Sequence, residues 1–176
     1  MPRKRKEDES MNIDRALSDV HDDLRRAGFL TDPIYDVDTY LVYLGLFGEA
    51  LGYYWRGNIY IVRNTIPDLF RLCFGGQRQW RSFRGVIRHE FGHAIIDRHH
   101  SDIRWLDFRS CFGRIRCGRE GCDCVLTEYA RTNREEDFCE TLEFFLTKRS
   151  RFKPSCPVIK EKIAFIRELG RRLGNN

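Results

Sequence analysis

His89-Glu90-Phe91-Gly92-His93 is an HExxH sequence, and the rest of the chain is read outward from it. Two histidines four apart on a helix share one face, with Cβ atoms about 5 to 6 Å apart, so both imidazoles can reach a single zinc ion. Glu90 then stands beside the metal as the candidate general base for its bound water. With five histidines and twelve glutamates in 176 residues, the expected number of chance matches is roughly 0.01. The flanks agree: Val86, Ile87, Ala94, Ile95 and Ile96 are uncharged, as a helix buried beside a metal cleft requires. The competing reading is an ordinary amphipathic helix with two surface histidines.

Helical periodicity extends from this motif in both directions. Phe83, Ile87, Phe91, Ala94 and Ile95 place it on an amphipathic helix. Upstream, Leu17, Val20, Leu24 and Ala27 give a helix over 14–27 that Gly28 ends. Downstream, Phe138, Leu142, Phe145 and Leu146 predict a helix over 134–147, with Thr132 and Glu135 in capping-box spacing. Ile159, Ile163, Ile166 and Leu169 predict a last helix over 158–173. Ile59, Tyr60, Ile61 and Val62 lie between turn formers and predict a strand over 58–63. The aromatic stretch from Tyr40 to Trp55, broken by Gly45, Gly48 and Gly52, receives no assignment. Residues 1–12 are too polar to fold and are expected to be a disordered tail. Residues 13–176 are expected to form one α+β domain, since a single core serves roughly 100 to 200 residues.

A catalytic zinc needs a third protein ligand and one open position. Two residues qualify. His99 completes the spacing HExxHxxxxxH, as in the metzincins. That family has a glycine where Ile96 stands here and a methionine turn downstream, whereas the only methionines of this chain are Met1 and Met11. His99 also fits a polar residue at a helix C-terminus. The second candidate is Glu136, in the run from Leu126 to Glu140.

At this run the chain resembles the catalytic domain of anthrax lethal factor and its relatives, including the Pro-Pro endopeptidases. The resemblance rests on HEFGH followed by a segment of pattern LTxYxRTNxxExFxE, and it covers roughly residues 83–170. It implies a zincin-like fold, a small sheet packed on the HExxH helix with further C-terminal helices, and a gluzincin-type zinc endopeptidase acting on a protein or peptide. It further implies that His89, His93 and Glu136 hold one catalytic Zn2+ and that Glu90 is the base. Tyr129 takes the place of the family tyrosine, whose phenol donates to the developing oxyanion. Glu140, one turn after Glu136, is placed to orient a ligating imidazole. By fold analogy the strand from Ile59 to Arg63 is the sheet edge on which an extended substrate would lie.

The resemblance has no counterpart for Cys111, Cys117, Cys122 and Cys124, spaced C-x5-C-x4-C-x-C. Paired CxxC knuckles are missing, and two readings stand: a second, structural metal site, or disulfides. Cys73, Cys139 and Cys156 read as ordinary buried cysteines.

Charge gives weaker guidance. The net charge is +5, and the stretch from Arg71 to Arg119 holds eleven arginines and no lysine. Together with the basic run Arg3 to Lys6, this supports a rival reading as a DNA-associated, SprT-like protease or nucleic-acid-binding zinc protein. The bland reading is a solvated, arginine-rich surface. A third reading is an inert zinc-binding module, against which the presence of both Glu90 and Tyr129 counts. No stretch approaches the roughly 18 unbroken apolar residues of a membrane span, and the N-terminus shows no secretory pattern. A cytoplasmic or nuclear location is therefore expected, with delivery into another cell as an effector or toxin the alternative.

Overall fold

The HEFGH helix is the element on which the others are assembled. The structure, a computed structural model, describes residues 13–29, 38–42, 52–62, 83–116, 123–148 and 154–174. In chain order these form α1 (Ile13–Arg26), β1 (Thr39–Val42), β2 (Gly52–Trp55), β3 (Asn58–Val62), α2 (Phe83–Arg98) and α3 (Trp105–Cys111). A short 3-10 helix (Tyr129–Arg131), α4 (Arg134–Lys148) and α5 (Pro157–Leu173) follow. The architecture is α+β. The expected tail over 1–12, and Cys73, Cys117 and Cys122, lie outside the described residues.

The strand order is β1-β3-β2. β1 runs parallel to β3, from Thr39 opposite Ile59 to Val42 opposite Val62, and β2 runs antiparallel, with Trp55 opposite Asn58. Arg56 and Gly57, both with positive φ (50° and 83°), close the β2–β3 hairpin in two residues, the turn whose twist suits paired strands. The strand predicted over 58–63 is therefore β3. It is the central strand, paired on both sides, so the expectation that it forms the substrate-facing edge is corrected: among the described residues the outer strands are β1 and β2.

α2 is wrapped on several sides. Val86, Ile87, Phe91, Ala94 and Ile95 are buried and share one cluster with Val20 and Leu24 of α1, Ile59 and Ile61 of β3, and Phe138, Leu142 and Phe145 of α4. Each such side chain contributes roughly 1.5 to 3 kcal/mol relative to exposure. α1 ends in the two hydrogen bonds of a Schellman cap, Phe29 N–H to Leu24 C=O (3.1 Å) and Gly28 N–H to Arg25 C=O (2.9 Å). Its buried stripe is Ala16, Val20, Leu24 and Ala27, with Leu17 half-buried.

α3 falls in a segment to which the sequence reading assigns no element. Phe108 anchors it by ring contacts to Phe112, Phe138 and Phe165, with centroids 4.9, 5.7 and 5.9 Å away. α4 has the predicted extent but a different cap. The side chain of Asn133 accepts from Glu136 N–H at 2.9 Å, the ordinary N-cap geometry, while Thr132 belongs to the preceding turn. No helix among the described residues is long and apolar enough to cross a membrane.

Candidate metal centre

α2 and α4 cross closely enough to bring their polar side chains together. His89 and His93 project from consecutive turns of α2, and Glu136 from the first turn of α4. His89 Nε2 lies 2.9 Å from Glu136 Oε2, and His93 Nε2 lies 3.6 Å from Glu136 Oε1. The crossing is held by a contact without room for a side chain: a Cβ on Gly92 would come 2.6 Å from Cys139 Sγ. The glycine inside HEFGH is thus a packing requirement of the site.

The orientation of His89 is fixed from behind. Its Nδ1 lies 2.8 Å from Glu140 Oε1, and the Thr127 hydroxyl donates to Glu140 Oε2 at 2.8 Å. Thr127 is held in turn by Ala130 N–H, which donates to its Oγ1 at 3.1 Å. With Nδ1–H donating to Glu140, a neutral His89 turns the lone pair of Nε2 toward Glu136 Oε2. That oxygen is buried and has no well-aligned hydrogen bond despite its close approach. Two electron-rich atoms at 2.9 Å require a proton or a cation between them, so the donor set fits a divalent metal such as zinc.

Electrostatics express the same convergence. Burial lowers the pKa of His89, but contacts with Glu136 and Glu140 and the charge of Glu90 outweigh it and raise the value to about 9. Burial would raise the carboxyl of Glu136, yet both imidazoles hold it far below the usual carboxylate range. Tyr129 is 51% exposed, with its ring centroid 5.8 Å from that of His89. Partial burial, then the charge of Glu136 and a hydrogen bond to it, raise its pKa, so the phenol keeps its proton at neutral pH.

Two other groupings have metal-ligand spacing: His89, His93 and Cys139, and His89, Glu140 and Glu143. The first exchanges Glu136 for a fully buried thiol that burial and the surrounding carboxylates keep protonated. The second uses a carboxylate already bound to Thr127 and to the other nitrogen of His89. Of these sets, only His89, His93 and Glu136 have all their residues in the wall of a cleft.

That cleft measures about 970 Å³, and Glu90, only 5% exposed, lies in its wall. β2 forms one side through Gly52, Tyr53, Tyr54 and Trp55. Gly52 is needed there, since a Cβ would come 2.6 Å from Val86 Cγ1 and 3.1 Å from Glu90 Oε1. Tyr54 donates to Asp97 at 2.7 Å, tying β2 to α2.

The structure brings His89, Glu90, His93, Tyr129, Glu136 and Glu140 together and leaves His99 out. His99 is buried, its Nδ1 3.0 Å from Asp102, and it does not line the cleft. Sequence reading missed Thr127, Gly52 and the aromatic wall of β2. Thr127 stands within the LTEY run, but nothing in a linear sequence shows which carboxylate a hydroxyl thirteen residues away will meet. Of the cysteines, Cys111 is half-buried, and Cys124 lies against Cys156, their sulfurs 3.2 Å apart. Five of the described arginines of the Arg71 to Arg119 stretch are engaged. Of its seven described members, Arg84, Arg88, Arg104 and Arg114 pair with Asp19, Asp23, Asp107 and Glu161, and Arg98 donates to Gly57 C=O.

Two histidines of one helix and a carboxylate of a second define a candidate metal centre of the His-His-Glu class. Compared with protein-family models, with curated proteins and with solved structures, the chain matches none.

Proposed function

We propose that this chain is a zinc-dependent endopeptidase of gluzincin type on a zincin-like fold. The observation that carries the reading is the meeting of His89 Nε2, His93 Nε2 and the Glu136 carboxylate beside buried Glu90 at the wall of an open cleft. His89, His93 and Glu136 would hold the ion. Bound zinc would polarise the scissile carbonyl and lower the pKa of a water from 15.7 to about 7. Glu90 would serve as the base that takes a proton from the attacking water and passes it to the leaving amine. Tyr129, protonated and at the cleft, donates its hydrogen bond to the carbonyl oxygen as negative charge develops there. Glu140, backed by Thr127, holds Nδ1 of His89 and would leave its Nε2 free to bind the ion. β2 is an outer strand bordering the cleft, which suits an extended peptide aligned along its backbone, with Tyr53, Tyr54 and Trp55 nearby for side-chain contacts.

The test compares the purified chain with Glu90→Gln on a proteome-derived peptide library, with zinc content measured for both. The expected result is zinc in both proteins and cleavage only in the unaltered one. Equal cleavage by the variant would end the proposal, and zinc without cleavage in either would leave an inert zinc module as the reading.

A further inference from the structure

We propose that Cys124 and Cys156 are a dithiol pair that closes reversibly into a disulfide, covalently tying the start of α5 to the segment that leads into the candidate metal centre. Their sulfurs are 3.2 Å apart, both are buried, and 32 positions of chain separate them. Bond formation at about 2.05 Å therefore needs roughly 1 Å of sulfur movement. Cys124 is the last member of the cluster that spacing singled out, but its partner lies outside that cluster.

Both cysteines are held to one helix. Cys156 is the N-cap residue of α5, with extended backbone and no side-chain cap hydrogen bond. Lys162, further along α5, donates from Nζ to the Cys124 C=O at 2.6 Å and to Asp137 Oδ1 at 2.8 Å. The sulfurs therefore meet because the backbone on both sides is anchored. Cys156 is the more accessible of the two, at 4% against 0%, and its position at the positive end of a helix favours thiolate character. It is the attacking sulfur.

The oxidant is a small-molecule disulfide such as oxidised glutathione. The Cys156 thiolate attacks one sulfur of that disulfide, forming a mixed disulfide and releasing one thiol. Cys124, after losing its proton, attacks Cys156 Sγ and displaces the second thiol. Two protein thiols and one small disulfide become one protein disulfide and two small thiols, and both protons leave with the products. The closed loop contains Thr127, Tyr129, Glu136 and Glu140, which form half of the candidate site. A bridge of this loop length raises the midpoint of thermal unfolding by about 10 °C.

The test is independent of peptidase activity. The full chain is equilibrated with oxidised glutathione, remaining thiols are alkylated, and linked peptides are mapped by mass spectrometry. Thermal unfolding is followed with and without reductant. A peptide joining Cys124 to Cys156, with a reductant-sensitive rise in the unfolding midpoint, is the expected result. Cys124→Ser and Cys156→Ser should each remove the rise, while Cys111→Ser should keep it. Linkage of either cysteine to a different partner overturns the proposal, as does full alkylation of both after oxidation. A second zinc ion per chain that disappears in both serine variants also overturns it. The mapping on the unaltered chain decides the matter even if a variant fails to fold.

Discussion

Gly92 of α2 lies so close to Cys139 of α4 that a methyl group on it would come 3.0 Å from the Cys139 Cα as well as 2.6 Å from its sulfur. A sulfur can rotate away, but a helix backbone cannot, so Gly92→Ala must push the helices apart. The imidazoles ride on one helix and Glu136 on the other. The expected outcome is a loss of about 1 to 3 kcal/mol of stability with zinc affinity reduced at least tenfold. Cys139→Ala in the same chain relieves the sulfur contact and should recover part of both. Thermal melts and zinc competition against a chelator check this, and unchanged affinity in Gly92→Ala would show that the crossing does not set the site.

On the proposed reading, Glu140 would act on the metal through His89, whose Nδ1 lies 2.8 Å from Glu140 Oε1. Replacing it with Gln keeps the shape but weakens its hold on Nδ1, and outer partners of this type are worth 10- to 100-fold in metal affinity or activity. Glu140→Gln should lower zinc affinity within that range while the fold is retained. Thr127→Val should fall in the same direction by less, because it removes one of the hydrogen bonds to Glu140. Zinc competition on the two variants checks the order.

The helices were legible in the sequence because their periodicity is uninterrupted: α1, α4 and α5 match their predicted ranges to within one residue, and the apolar positions Phe83 to Ile95 all fall on α2. α3 was not, since seven residues around a single buried Phe108 give too few turns for a periodic signal. β1 and β2 lie in an aromatic stretch whose glycines read as breakers. At Gly52 the glycine instead allows a strand to lie against α2. In the site, HExxH spacing identified three residues by itself because one helical turn fixes their geometry. Glu136 and Tyr129 came only through resemblance, since their meeting with α2 depends on a long-range crossing. Thr127 and the Cys124–Cys156 contact depend on the same tertiary placement and leave no spacing signal.

The pH response of zinc binding follows from His89. Its pKa in the folded chain is raised from 6.5 to about 9, so without metal the folded state holds an extra proton between those values. The resulting stabilisation is complete below pH 6.5 and is lost as pH rises toward 9. Zinc requires the neutral imidazole and displaces that proton. Affinity should therefore rise up to about tenfold per pH unit across this window and level off above it. Chelator competition from pH 6.5 to 9.5 checks this, and a flat profile between pH 7 and 8.5 would rule out a protonated His89.

Lys162 and Asp137 test how α5 supports the site. Both are fully buried, with Nζ 2.6 Å from Asp137 Oδ2, and Asp137 also accepts from Gly113 N–H at 2.8 Å. Asp137 directly follows Glu136, so this pair anchors the turn of α4 that carries Glu136. Burial pushes the Asp137 carboxyl up, while Lys162 and the Gly113 amide pull it down. Lys162→Met removes the cation and leaves a buried carboxylate with the Gly113 hydrogen bond alone, which costs about 3 to 5 kcal/mol. The carboxyl can escape by binding a proton. Its folded pKa then lies above the unfolded value, so the folded state binds more protons and stability falls as pH rises through that interval. Urea unfolding of Lys162→Met should show a deficit that is smaller near pH 4 than near pH 7. Adding Asp137→Asn should remove the pH dependence while leaving a smaller, constant loss. A deficit independent of pH in the single variant would mean that Asp137 is solvated once Lys162 is gone, and that the pair does not anchor α4.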